Sequence, residues 1–140
     1  MNVEILQQSL DRQGYALLPS LLSPDQCTTL IEGYDEVSRY RKTIEMQRYR
    51  FGSGEYKYFQ YPLPEIVRYL RTELYNPLAR IANAWANHLN SGLTYPDNHE
   101  QFLEMCARNN QTRPTPLILH YESGGYNTLH QDLYGEIYFP

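Results

Sequence analysis

In the stretch YNTLHQDLYGEIYFP a histidine and an aspartate stand two apart, His130 and Asp132. Neutral imidazole and carboxylate together make a good partial ligand set for iron(II). Side chains two apart on a strand point to the same face. The spacing therefore predicts that His130 and Asp132 face one way, with Tyr126 and Thr128 on the same side. A facial triad takes one more histidine, normally far along the chain, and leaves three metal positions open. A histidine hydrogen-bonded to a nearby turn aspartate would show the same spacing, and His-x-Asp pairs also arise by chance. The context favours the metal. Tyr121 lies nine residues before His130 with Ser123-Gly124-Gly125 between them, so a tyrosine-bearing strand is expected to fold beside the ligand-bearing one and face the same pocket.

Other candidates are weaker. RYRKTIEMQRYR gathers Arg39, Arg41, Lys42, Arg48 and Arg50 among tyrosines. Basic side chains interleaved with aromatics suit an anionic polymer, although a solvated hairpin face has the same composition. Arg48 and Arg50, with Tyr126, are the substrate-binding candidates. His88 reads as a boundary histidine beside Trp85, and His99 as an exposed residue in a first helical turn. His120 has the opposite strand parity to Tyr121. GSGEYKYF has too few suitably placed glycines for a phosphate loop.

The elements that must position these residues read as α+β. A helix is expected at Val3–Gln13, stopped by Gly14, and YALLP follows as a short strand. Ser23, Pro24 and Gln26 form a capping box. The helix they open is expected to bury Cys27, Leu30, Ile31, Tyr34 and Val37. The aromatic-rich middle, split by Gly52-Ser53-Gly54, reads as a β-hairpin ended by Pro62 and Pro64. Helices are expected at 64–75 and 76–89, the second capped by Asn76 with Pro77 in its first turn. Leu78, Ile81, Ala82, Trp85 and Leu89 form its apolar face. A third helix runs over 98–108, with Asp97 and Glu100 as its capping box. Then LILHYE, YNTLHQD and EIYFP read as strands. Helices and a hairpin followed by strands is not the alternating pattern of a parallel α/β fold.

The bulk properties set limits. The 140 residues suffice for one domain with a core and carry a formal net charge of −4, so there is no general basic footprint for nucleic acid. The mean hydropathy is −0.62, and no apolar run is long enough for a membrane helix. The segment after Met1 lacks the basic-then-apolar order of a signal peptide. Cys27 and Cys106 are expected to be buried, reduced thiols of a cytoplasmic protein. The 14 tyrosines suit half-buried strands and cleft rims.

YESGGYNTLHQD resembles the Tyr-x-x-Gly-(x)5-His-x-Asp element of iron(II)/2-oxoglutarate dioxygenases, shared by prolyl hydroxylases and AlkB-type demethylases. Together with GYALLPSLLSPDQC, GEYKYFQYPLP, QTRPTPLILHY and YNTLHQDLYGEIYFP, it is similar to a bacterial 2-oxoglutarate/iron oxygenase family whose members are expected to demethylate damaged nucleic-acid bases oxidatively. The resemblance covers nearly the whole chain. It implies that His130 and Asp132 are the first two ligands of Fe(II), that Tyr121 contacts 2-oxoglutarate, and that Gly124 is the turn glycine. Gln131 follows the demethylase-like His-Gln-Asp form. Dioxygen and 2-oxoglutarate are the implied cosubstrates, and damaged nucleic acid the implied substrate.

The resemblance also implies a fold: N-terminal helices and a hairpin packed on the first strands of a double-stranded β-helix, a jelly roll of the cupin kind. Residues 1–140 are then a single domain, with helices and a hairpin over 1–114 and the first barrel strands over 115–140. The family's distal iron histidine and the basic residue pairing with 2-oxoglutarate have no counterpart here. The expectation is an incomplete barrel, poorly soluble and inactive when expressed alone. A protein or small-molecule hydroxylase of the same superfamily, and an inactive relative serving as a binding module, stand beside the demethylase reading.

Overall fold

The computed structural model describes residues 2–131 and 135–139. It contains helices α1 (Val3–Gln13), α2 (Pro24–Glu32), α3 (Glu65–His88) and α4 (His99–Arg108). Its strands are β1 (Tyr40–Glu45), β2 (Gly52–Ser53), β3 (Glu55–Phe59), β4 (Leu117–His120) and β5 (Tyr126–Asn127). Among the described residues the mixture is α+β, with one sheet in the order β1-β3-β4 and a two-stranded sheet β2-β5, all antiparallel and neither closed. Leu117–His120 is the one strand in LILHYE, the described residues of YNTLHQD form a strand only at Tyr126–Asn127, and residues 136–139 form none. YALLP is likewise not a strand. Where these runs fail to form strands, no neighbouring strand pairs with them, and composition alone cannot supply one.

Local signals governed the helix starts. The Asn2 side chain accepts from Glu4 and Ile5 N–H, and Gly14 closes α1 in the left-handed conformation with φ 79°. The Ser23–Gln26 capping box is fully formed. Asn98, not Asp97, caps α4, accepting from Glu100 and Gln101 N–H.

Burial departs from the expected stripes. No residue of α2 is buried; Cys27 is exposed, as are Ile31 and Val37. The helix ends at Glu32 and gives way to 3-10 turns, so the 3.6-residue period is broken before Tyr34 and Val37. Both cysteines are free thiols, and Cys106 is half-buried.

The two helices expected over 64–89 are one. α3 runs through Pro77, which removes an N–H and normally costs a helix about 3 kcal/mol. Packing opposes that cost. Tyr75, Ala79, Ala82 and Ala86 are buried at helical spacing on both sides of the proline. Tyr75, Ala79 and Ala82 form the core with Tyr95, against which Phe102, Met105 and Phe139 pack. Asn76 does not cap; its amide donates to Asp97 O at 2.8 Å. Ile81 is buried as expected, whereas Leu89 is exposed. Tyr75 donates its hydroxyl to Pro96 O, and Tyr95 donates to Tyr138 O, both at 2.8 Å. Burial pushes the Tyr75 hydroxyl up to about 12, so it stays a neutral donor. His99 is half-buried, its ring 5.3 Å from that of Tyr75.

The hairpin is β1 paired with β3, in the register Ile44↔Tyr56 and Glu45↔Glu55. Its connection is not a tight turn. A 3-10 turn, Met46–Tyr49, leads into β2, and Met46 is fully buried beneath it, with its N–H donating to Gly54 O.

Candidate functional site: the hairpin loop and the His130 segment

Cross-strand partners share a face, so Tyr56 and Tyr58 lie on the same side of the sheet as Leu119 and Leu117. Tyr121 continues that parity. A Cβ on Gly54 would come within 2.7 Å of the Tyr121 ring, so glycine at 54 makes room for Tyr121. This face is open: Leu117, Leu119 and Tyr121 are 37%, 45% and 41% exposed. The opposite face carries His120, whose ring lies 5.1 Å from that of Tyr34. Tyr34 donates to Glu55 at 2.7 Å; burial and then the Glu55 carboxylate hold its hydroxyl far above the ordinary phenol range.

After the turn at Glu122–Gly125, closed by Gly125 N–H donating to Glu122 O, the chain does not return to β4. It pairs with the hairpin loop instead, in the register Ser53↔Tyr126 and Gly52↔Asn127. The strand that leads into Tyr121 and the segment bearing His130 are therefore not direct partners, contrary to expectation. β4 pairs with β3, and β5 pairs with β2. Gly52 is required there, because a Cβ would collide with Tyr126 O.

One step further, Thr128 N–H and Oγ1 both donate to Phe51 O, at 2.9 and 3.0 Å. His130 Nδ1 lies 2.7 Å from Thr128 O. A carbonyl oxygen only accepts, so Nδ1 is the donor in this contact, and a backbone carbonyl on one ring nitrogen is a common way of orienting a metal-ligating histidine. His130 is exposed and lies beyond the end of β5, so strand alternation does not set its direction. Asp132 lies outside the described residues. Among the described residues no group of three or more histidine, cysteine, aspartate or glutamate side chains could hold a metal ion.

The substrate candidates fall on one loop and its partner. Tyr126 is 58% exposed. Arg48 Nε lies 2.8 Å from Glu45 with both side chains largely exposed, a pair worth little in water. Arg50 ends the 3-10 turn in the left-handed region with φ 60°. A row of rings runs from this loop across the open sheet face. Tyr49 stacks on Phe51 at 5.8 Å, Phe51 lies 6.2 Å from Tyr56, and Tyr56 lies 5.4 Å from Tyr58. The Arg41 guanidinium sits 4.3 Å above the Tyr58 ring, a cation–π contact. Phe51, which holds the loop to the His130 segment, was not singled out in the sequence, and Thr128 was placed only on the face of Tyr126. The Gly52-Ser53-Gly54 triplet was their visible signal, read there only as a break in the hairpin.

Residues 54–140 match the model of the Oxygenase-NA family, described as an oxygenase catalysing oxidative methylation of damaged DNA. That span is more than half of the chain, and the chain belongs to this oxygenase family. Two uncharacterized proteins from strains of Mycobacterium tuberculosis are each 40% identical to it over 82 residues, 59% of this chain and 35% of theirs. The chain thus spans about a third of the length of these curated relatives. No solved structure matches it. No helix among the described residues is long and apolar enough to cross a membrane.

Proposed function

We propose that this chain carries the first two metal ligands and the substrate-facing loop of an iron(II)- and 2-oxoglutarate-dependent oxygenase acting on methylated bases in damaged nucleic acid. The observation carrying this reading is that the family match spans His130-x-Asp132, with the His130 ring oriented by the Nδ1 contact to Thr128 O. Asp132 supplies the carboxylate, and a third protein ligand comes from outside the described residues. When bound, the metal and its cosubstrates supply the oxidation: one oxygen atom of dioxygen enters a substrate C–H bond and the other converts 2-oxoglutarate to succinate and carbon dioxide. A hydroxylated N-methyl group then leaves the base as formaldehyde, so the outcome on DNA is removal of the methyl group.

The residues of this chain bind and orient. Thr128 O holds the Nδ1 proton and fixes the imidazole plane. Tyr121, on the open sheet face beside Gly54, donates its hydroxyl to the 2-oxoglutarate carboxylate. Tyr49, Phe51, Tyr56 and Tyr58 offer π-faces to unstacked bases, and Arg48 and Arg50 meet phosphates. On this reading the two open antiparallel sheets belong to a double-stranded β-helix. The test is iron(II)-dependent release of succinate in the presence of a methylated oligonucleotide. In the protein that shows release, His130→Ala should abolish it and His120→Ala should leave it intact. Release that survives His130→Ala would overturn the assignment.

A further inference from the structure

We infer that the cleft between α3 and the end of the sheet is a binding site for a small apolar monoanion, a hydrocarbon body bearing one carboxylate. This is independent of the reading of His130. The cleft is open to solvent and has a volume of about 450 Å³, within the range of small-molecule sites. Val67, Leu70, Leu74 and Leu78 form its helical wall, and Phe59 and Ile118 belong to its sheet wall. The four α3 side chains recur at helical spacing yet are only partly buried, on a different stripe from Tyr75, Ala79 and Ala82. A stripe of this kind normally closes onto the next layer; here it stands back and leaves a lined space.

The charge at the cleft is one-sided. Arg71 is the one charged residue among those that line it, and no carboxylate does. Its Nη1 donates to the Tyr61 hydroxyl at 3.0 Å, and among the described residues it makes no ion pair. His99, the other basic group at the cleft, is held below the usual imidazole range, first by burial and then by the Arg71 charge, with Glu100 opposing. Arg71, Tyr75 and His99 also line an adjoining, more polar cleft that contains Asp97 and Glu100. The guanidinium therefore stands at the junction, where an anionic head meets a cation while its body enters the apolar side. A guanidinium binds a carboxylate through two parallel N–H donors, whereas a neutral head of the same length gains only burial.

The experiment is calorimetric titration of the whole chain with octanoate, octan-1-ol and octylamine as probes. Octanoate should bind one per chain and at least tenfold more tightly than octan-1-ol, with octylamine weaker than either. Arg71→Gln should weaken octanoate at least tenfold and leave octan-1-ol unchanged, which also shows that the variant is folded. Arg71→Lys should stay within about fivefold of the wild type for octanoate, and Leu74→Trp, with an unaltered circular dichroism spectrum, should abolish binding of both. Four results would overturn the proposal: no saturable binding, equal affinity for octanoate and octan-1-ol, octanoate binding indifferent to Arg71→Gln, or sedimentation showing a dimer that octanoate does not dissociate and Leu74→Trp does. The last would assign the cleft to a second copy of the chain.

Discussion

Phe51 O accepts two hydrogen bonds from Thr128, 77 residues later, one from N–H at 2.9 Å and one from Oγ1 at 3.0 Å. Thr128 O in turn lies 2.7 Å from His130 Nδ1. The loop that carries Tyr49, Phe51, Arg48 and Arg50 is thereby fastened to the segment that carries the histidine. Thr128→Val removes the Oγ1 bond alone and should cost about 1 kcal/mol in a denaturant titration, with the Thr128 position still protected in hydrogen exchange.

Gly52→Ala should do more. Its Cβ would run into Tyr126 O, and backbone cannot move aside as a side chain can. The β2–β5 pairing should open, with a loss of about 2–3 kcal/mol and loss of exchange protection at Thr128 N–H. Gly14→Ala is the comparison: it meets no atom within 4 Å and is penalised only for its positive φ, by about 1 kcal/mol. Equal effects of the two substitutions would mean that Tyr126 does not approach Gly52.

Pro77 tests whether α3 is one helix. Within a helix interior, Pro77→Ala should restore an N–H donor to Glu73 O and raise stability, by about 1–3 kcal/mol after allowing for the looser unfolded chain. If Pro77 instead opened a second helix, capped by Asn76, the same change would be neutral or destabilising.

His99 sets a pH dependence. Its folded pKa lies below the ordinary value because burial, then Arg71, disfavours the charged form, with Glu100 opposing. The stabilising preference for neutral imidazole is complete above the unfolded value of about 6.5 and is lost as pH falls through the depressed folded value. Thermal stability should therefore drop between about pH 6.5 and the His99 midpoint. His99→Gln should flatten that drop, and Arg71→Gln should raise the midpoint seen by NMR. A midpoint unmoved by Arg71→Gln would remove Arg71 from the neighbourhood of His99.

What could be read from the sequence was what local geometry decides. Asn2, Gly14 and the Ser23–Gln26 box act through atoms a few residues away, and each sits where its chemistry requires. The hairpin also followed from its own alternation, since Ile44 and Tyr56 face each other within one strand pair. What failed depends on partners distant in sequence. Ile31 and Val37 lie exposed because no layer among the described residues covers them, and Pro77 sits inside a helix because Tyr75 and Ala79 pack on the same side of it. The candidate site could be read from the sequence only as residue types. His-x-Asp pointed to a metal and RYRKTIEMQRYR to an anionic partner, but the bond joining them, Phe51 to Thr128, has no signature beyond the glycines that permit it.

Arg48 and Arg50 can be tested by salt. Replacing both with alanine should weaken binding of a single-stranded oligonucleotide and reduce the slope of log K against log salt by about 1–1.5, the share of two phosphate contacts on a single strand. Tyr49→Ala should weaken binding with little change in slope, because stacking releases no counterions. An unchanged slope in the double variant would leave the hairpin as scaffold.

The metal assignment can be tested at the histidines themselves. The chain has four: His88, His99, His120 and His130. Manganese(II), an oxygen- and nitrogen-binding ion that stands in for iron(II), broadens the ring-proton resonances of any histidine it touches. Titrated at substoichiometric amounts with 2-oxoglutarate present, it should broaden the His130 signals first, and Asp132→Asn should raise the manganese needed at least fivefold. His88, His99 or His120 broadening first, or His130 signals indifferent to Asp132→Asn, would contradict the His130–Asp132 metal site.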